Sequence, residues 1–485
     1  MSLKQKTING IIWSAIDSLA GQGVLFIVGI ILARLLSPRE FGLIGMITVL
    51  IAVSESFINS GFSSALIRKK DCTQTDYSTV FYFNLAMGTV LFLVLFFSAP
   101  AVSVFFKEPE LKDIVQVLAS VLIIDSLTIT QRTTLTKRID FKLQARISII
   151  AAVGSGSVAI IMAYAGFGVW SLVALQLVRR ILNSIFLWLW NRWRPSWIFS
   201  KKSFKELFGF GSKLLLSGMI DTIYRNVYYL VIGKYFSAQQ LGFYTRASQF
   251  NDLPSHNLTT IMSRVTYPVL AQLQDNPEKL KAGYRKLIKT IMLISLVLMM
   301  GMAAVAEPLI ITLIGEKWRQ SVIYLQMLTF VGMMYPLHAL NLNMLNVQGR
   351  SDLFLTLEII KKILAVPTIV IGVLFGIKAM IAGMMVNTVI AYYLNSYWSG
   401  RFIKYPMRQQ LLDILPSFLV AATMAVVVYL TGKFIPAAYF VKLLIQLSIG
   451  GALTVALCEW FRVDSYLSLK EIVKTGLIKI KNGRK

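Results

Sequence analysis

Apolar residues in this chain are gathered into long runs, each close to twenty residues. A helix of that length crosses a hydrocarbon core of about 30 Å. Of 485 residues, 56% are apolar and only 15% charged. That leaves too little polar surface for a soluble protein of this size. The chain is therefore expected to be an all-α polytopic membrane protein.

The runs place fourteen spanning helices at 8–33, 41–61, 77–98, 114–136, 146–165, 168–190, 208–233, 241–270, 287–312, 321–346, 353–375, 378–400, 411–431 and 437–460. The fourth, eighth and tenth are polar enough for hydropathy alone to miss. The run from Ile8 to Ala33 follows Lys4 and Lys6 and is too long for a signal-peptide core, so it reads as a first span with its N-terminus inside. With fourteen spans, Lys and Arg are about three times as common in the connections on the N-terminal side as on the other. The formal net charge of +26 is thus read as a positive-inside signature, not as a nucleic-acid surface. Both termini are expected in the cytoplasm. Cys72 and Cys458 fall on that same side, so no disulfide is expected.

The chain also repeats itself. Residues 33–45 read ARLLSPREFGLIG and residues 233–245 read GKYFSAQQLGFYT. Ser37 matches Ser237, Phe41 matches Leu241, and Gly42 matches Gly242. Six expected helices separate the copies, an even number, so the halves share one orientation and a parallel repeat is expected. The connection at Thr136–Lys142 corresponds to Asn346–Phe354, and Gly166-Phe167-Gly168 corresponds to Phe375-Gly376. Three regions follow: 1–200 and 201–405 as six-helix bundles, and 406–485 as two further helices with a basic tail.

Polar residues inside the spans are costly in a bilayer and face a cavity or a partner. The eighth span carries Arg246, Gln249, Asp252, His256, Thr260 and Ser263 at steps of three or four, one continuous face. Pro254 in its middle is expected to kink it. The second span carries Glu55 and Asn59, the first Asp17, and the seventh Asp221, Arg225 and Tyr228. The fourth carries Asp125 and Arg132, and the tenth His338 and Asn341. The third, ninth, thirteenth and fourteenth are more uniformly apolar and read as lipid-facing. Together these faces predict a polar central cleft between the two bundles.

Each candidate has a plainer reading. Asp221 and Arg225 are four apart and can neutralise each other within one helix; Asp252 and His256 share that spacing. Arg132 can snorkel to the interface. Arg179 and Arg180 are adjacent, so at most one faces the interior. Glu358, Lys361 and Lys362 read as a mutually paired helix start. Arg246 is the best single candidate for an anion ligand. No phosphate-binding glycine loop with a lysine, no zinc spacing and no nucleophile elbow appears. The connections on the outer side are also short. No enzyme activity, cofactor or metal is expected.

The segment NGIIWSAIDSLAGQGVLFIVGIILARLLSPREFGLIGM at residues 9–46 resembles the first two helices of Wzx-type lipid-linked oligosaccharide flippases. Asn346-Val347-Gln348-Gly349-Arg350-Ser351-Asp352 resembles that family's segment after the tenth helix. Multidrug extruders and the lipid II flippase belong to the same superfamily. The resemblance implies a V-shaped pair of bundles working by alternating access in the bacterial inner membrane. It implies an oligosaccharide on a polyprenyl pyrophosphate as substrate, for O-antigen, capsule or exopolysaccharide. Arg225 and Arg246 would then pair with phosphate, with Arg132, Tyr228, Gln249, His256 and Asn341 lining the cleft. Asp17, Glu55, Asp125, Asp221 and Asp252 would bind a coupling proton or sodium ion. A polymerase and a chain-length regulator are the implied protein partners, and no oligomer is required. Two other readings stand beside this one: a cation-coupled multidrug antiporter of the same architecture, and a membrane glycosyltransferase, polymerase or ligase. Neighbouring glycosyltransferase genes would favour the flippase.

Overall fold

A computed structural model describes residues 3–59, 61–468 and 470–471, with the side chains of 3–12, 14–19, 261, 263–265 and 267 outside that description. Among the described residues the chain is helical, and it divides into two compact units, Met1–Gly242 and Phe243–Lys485.

The first unit holds α1 (Leu3–Leu35), α2 (Pro38–Asn59), the short α3 (Phe62–Arg68), α4 (Gln74–Phe106), α5 (Leu111–Lys137), α6 (Phe141–Tyr164), α7 (Val169–Trp190) and α8 (Lys201–Tyr235). Here α4 lies along α5, α6 packs between α1 and α7, and α8 packs on α2, α3 and α4. An aromatic cluster of Phe62, Phe83, Phe204 and Phe208 joins α3, α4 and α8. This packing groups α8 with the helices before it, and the division by contacts falls after Gly242.

The second unit holds most of α9 (Ala238–Gln272), then α10 (Pro277–Ala304), α11 (Ala306–Ile314), α12 (Arg319–Val347), α13 (Ser351–Phe375), α14 (Ile377–Ile403), α15 (Met407–Phe434) and α16 (Tyr439–Trp460). α9 runs helically through Pro254. α10 packs on both α15 and α12. Its Ile288, Ile291, Met292, Leu296 and Met299 are buried in this unit's main apolar cluster. The ninth expected span is therefore a central spine and not lipid-facing scaffold. Its apolar residues go all the way round because it has neighbours on two sides. The third and fourteenth, α4 and α16, do keep their apolar faces outward: only 17% of each apolar window is buried.

Helices cover all fourteen expected spans; the second ends where α2 gives way to α3, and the ninth is interrupted. α2 gives way to α3 around Gly61, whose φ of 67° suits glycine. A Cβ there would lie 2.4 Å from the Gly211 carbonyl oxygen on α8. The ninth span breaks between α10 and α11 at Val305. Ten helices among the described residues are long and apolar enough to cross a membrane. Outside this set are α8, α9 and α13, while the described part of α1 from Ala20 to Leu35 is a shorter apolar helix. The fourth and tenth expected spans pass, contrary to expectation, with mean hydropathy 1.7 and 1.3. Their polar residues are mostly hydroxyls and amides. By contrast α8 carries many charges, among them Lys201, Lys205, Lys213, Asp221 and Arg225, and α13 carries Glu358, Lys361 and Lys362.

The two copies of the repeated segment meet. In the first, Ser37 precedes α2 and gives its backbone N–H (2.5 Å) and hydroxyl (2.9 Å) to Glu40 Oε2. In the second, Ser237 precedes α9 and its Oγ accepts from the Gln240 N–H at 3.2 Å. Both use a serine followed three residues later by Glu or Gln, a pattern that satisfies the free N–H groups of a helix start. A Cβ at Gly42 would lie 1.6 Å from the Ala238 carbonyl oxygen, and one at Gly242 would lie 1.8 Å from that of Pro38. Each glycine thus admits the opposite turn's backbone.

Two other corresponding connections share a geometry. After α5, the Asp140 N–H donates to Leu135 O at 2.9 Å, with Ile139 at φ 59°. After α12, the Arg350 N–H donates to Leu345 O at 2.9 Å, with Gly349 at φ 71°. Both are helix ends closed by a six-to-one hydrogen bond around a left-handed residue.

Candidate functional site

Charged side chains from three helices meet in the first unit, where α2, α5 and α7 converge. α2 packs on α5 and α7, and α5 packs on α7. That convergence brings Glu55, Asp125 and Arg180 together. Arg180 Nη2 donates to Glu55 Oε1 at 2.6 Å and Nη1 to Asp125 Oδ1 at 3.2 Å. The side chains retain 27%, 25% and 12% exposure for Arg180, Glu55 and Asp125, so they are shielded but not sealed. On the next turns, Arg132 Nη2 donates to Asn183 Oδ1 at 2.9 Å, and Asn183 Nδ2 donates to Arg179 O at 2.8 Å. Arg179 stands in the same field, repelled by Arg180 and Arg132 and attracted by both carboxylates.

Three guanidinium groups thus share a region with two carboxylates. One guanidinium holding two carboxylates leaves a local negative excess at that point, which a proton or small cation could neutralise. The other two, Arg179 beside Arg180 on α7 and Arg132 two turns along α5 from Asp125, add positive charge suited to a phosphate oxygen. A hydroxyl pair, Ser56 Oγ and Thr222 Oγ1 at 2.8 Å, ties α2 to α8 beside this region.

Of the ion-coupling candidates, Glu55 and Asp125 are therefore joined by a residue set aside from sequence. α7 nevertheless carries a signal for it. Gln176, Arg179 or Arg180, and Asn183 recur at steps of three or four, a polar face on an apolar helix. Arg225 Nε donates to Asp221 Oδ2 at 3.0 Å within α8, the pairing their spacing allows, and both side chains are well exposed. Tyr228, one turn on, is buried. The Asp17 side chain lies outside the described residues.

In the second unit, Arg246 Nη1 donates to Gln249 Oε1 at 2.5 Å. Asp252 accepts from Ser248 Oγ and Asn251 Nδ2, both at 3.0 Å. His256 is exposed and lies against the Tyr335 ring at 5.8 Å. These residues share one helix face, as their spacing requires. Asn341 is fully buried. It accepts from Ser399 Oγ and from Gln410 Nε2, and donates to Leu337 O at 2.9 Å. That network packs α12, α14 and α15 together; a ligand role for Asn341 would require it to open. Glu358 and Lys361 are paired, as their spacing suggests. Among the described residues no group of His, Cys, Asp and Glu could hold a metal ion.

Charge paired inside a shell of long apolar helices defines an all-helical, multi-pass membrane protein of a fold already known. It is shared with the lipid II flippase MurJ in its inward closed conformation: TM-score 0.76, 15% identity, covering 94% of this chain and 99% of that one. It is also shared with a multidrug resistance MATE family transporter in an inward-facing conformation: TM-score 0.61, 17% identity, covering 81% and 98%.

The family model described as "Polysaccharide biosynthesis protein" matches residues 31–323, and the chain belongs to that family. Among its relatives is the teichuronic acid biosynthesis protein TuaB of Bacillus subtilis, 26% identical and covering 88% of this chain and 89% of TuaB. The lipopolysaccharide biosynthesis protein WzxC of Escherichia coli is 25% identical, covering 81% and 82%. The succinoglycan biosynthesis transport protein ExoT of Rhizobium meliloti is 24% identical, covering 63% and 62%.

Proposed function

We propose that this protein is a flippase that moves an oligosaccharide, linked to a polyprenyl pyrophosphate, from the cytoplasmic to the outer leaflet for surface polysaccharide synthesis. The observation that carries this reading is membership of the polysaccharide biosynthesis family over residues 31–323. Relatives named for transport and for lipopolysaccharide synthesis span most of the chain, or nearly two thirds of it. A fold shared with a lipid II flippase supports it further.

The chemistry is consistent. A pyrophosphate crosses a low-dielectric layer only when its charge is masked, and guanidinium groups do this with paired N–H donors. The sugars need hydroxyls and amides, while the polyprenyl tail can stay in lipid. Arg132 and Arg179 join Arg225 and Arg246 as candidate phosphate ligands, with Gln249, Tyr228 and His256 for the sugars. In this account fourteen helices form two parallel repeats plus two more, with both termini cytoplasmic in the bacterial inner membrane. Alternating access is driven by a proton or sodium gradient, with Glu55 and Asp125 as the first carboxylates to test. A polymerase and a chain-length regulator would act on the delivered product.

The test uses alanine variants of Arg179 and Arg246 in the native host. Surface polysaccharide should fall while lipid-linked precursor accumulates on the inner leaflet. Unchanged export and precursor levels in both variants would remove these arginines from the phosphate path. A multidrug antiporter would instead show altered drug resistance with polysaccharide intact.

A further inference from the structure

The second unit carries two adjoining cavities that the flippase reading does not use. One, of about 610 Å3, lies at the start of α10 and is lined by Lys281, Arg285, Lys286 and Lys289 against Glu278 and Asp464. Residues 281, 285 and 289 recur at steps of four, so one helical face points its cations the same way. Most of these cations are held. Lys281 donates to Lys404 O at 2.6 Å, Arg285 is forked onto Asp413, and Lys289 reaches Asp464 at 3.2 Å. Among the described residues Lys286 has no hydrogen bond or ion pair.

The second cavity, of about 740 Å3, runs between α15 and the end of α16, and shares Lys289, Asp464 and Ser465 with the first. Its walls are mostly apolar, with Leu412, Leu415, Leu419, Val420, Leu457 and Phe461, and Asp413, already forked by Arg285, also lines it. Arg462, just past α16, also lines it and is held at φ 46°. That left-handed conformation is uncommon for a residue with a side chain. Ser417 lines the same wall, 1% exposed, and its hydroxyl has no partner.

A cationic chamber opening into an apolar groove matches one chemistry: an anionic headgroup on an acyl chain. The place fits too. α10 starts, α15 starts and α16 ends here, at the basic end of the bundle, where apolar helix gives way to charge. Basic residues at such a boundary attract anionic lipid. We propose that this site binds an anionic phospholipid, with its phosphate on Lys286 and Arg462 and one chain between α15 and α16. Arg285 and Lys289 are structural cations tied to Asp413 and Asp464, and they supply field without needing to move.

The test is native mass spectrometry of the full-length protein released from nanodiscs of equimolar phosphatidylglycerol and phosphatidylcholine. The wild type should retain phosphatidylglycerol preferentially. Lys286→Gln and Arg462→Gln should each cut that preference about fivefold, and the double variant more. Thr423→Phe, which fills the groove from α15, should reduce retention of both lipids. Lys107→Gln, in the first unit, should change nothing, and an excess of inorganic phosphate should not displace the lipid. Thermal midpoints of all variants report on folding. Equal retention of the two lipids by the wild type would overturn the proposal. So would an unchanged preference in the double variant, an equal loss in Lys107→Gln, or displacement by free phosphate. Transport is not read, so failure here leaves the flippase reading untouched, and the reverse also holds.

Discussion

Single residues carry the closest constraints in this molecule. Gly42 and Gly242 each sit on the opposite turn's backbone, with Cβ positions 1.6 and 1.8 Å from a carbonyl oxygen. Backbone cannot swing aside as a side chain can. Gly42→Ala should therefore destabilise the protein by at least the ~1–3 kcal/mol typical of overpacking, read as a lowered thermal midpoint in detergent. An unchanged midpoint would mean that the two turns part easily. Ile139 shows the opposite situation. Its φ of 59° places a β-branched side chain where glycine is preferred, and Gly349 fills the corresponding position after α12. Ile139→Gly should stabilise by up to about 1 kcal/mol, visible as a raised midpoint; a lowered one would show that Ile139 packing outweighs its backbone strain.

At the scale of elements, most helices could be read from sequence because apolar runs and caps agree. Serine with Glu or Gln three residues on marks the starts of α2 and α9, and both caps form. The breaks at Gly61 and Val305 could not be read the same way. They depend on a neighbour, such as α8 pressing its Gly211 backbone against Gly61. The charge cluster divides likewise. Glu55 and Asp125 stood out as carboxylates placed within expected spans. Arg179 and Arg180 did not, because adjacent arginines point about 100° apart; the packing of α2 and α5 on α7 nevertheless brings both into the cluster, Arg180 as the direct partner of the carboxylates, against the expectation that at most one faces the interior. The ion pairs allow a sharp prediction. Arg180→Ala leaves two shielded carboxylates without their cation and should cost about 3–5 kcal/mol. Adding Glu55→Gln and Asp125→Asn removes the uncompensated charge and should recover much of that loss. Chemical denaturation of the purified single and triple variants would measure this. A triple variant no more stable than the single would mean that Arg180 acts through packing.

For the whole molecule, the two compact units have different characters. The first concentrates its membrane-depth charge on three converging helices. The second spreads Arg246, Asp252 and His256 along one helix face and holds Asn341 in a closed network. Sequence alone pointed to the second half as the place to look first, because α9 has the most obvious polar face. The packing shifts attention to α2, α5 and α7, where charges from separate helices meet. A site assembled across helices can respond to protonation or an anion by changing how those helices pack, while a pair within one helix, such as Asp221 and Arg225, changes little beyond itself. On the proposed function, this fold moves a lipid-linked oligosaccharide and needs the Arg180 cluster to do so. The most direct measurement is reconstitution of the purified protein with a fluorescent polyprenyl-pyrophosphate-linked oligosaccharide, scoring label exposed on the opposite leaflet under an imposed proton or sodium gradient. The wild type should show gradient-dependent transfer, and folded Glu55→Gln/Asp125→Asn/Arg180→Ala protein should transfer at least tenfold more slowly. No transfer by the wild type above protein-free vesicles, or equal transfer by the triple variant, would contradict the proposed function.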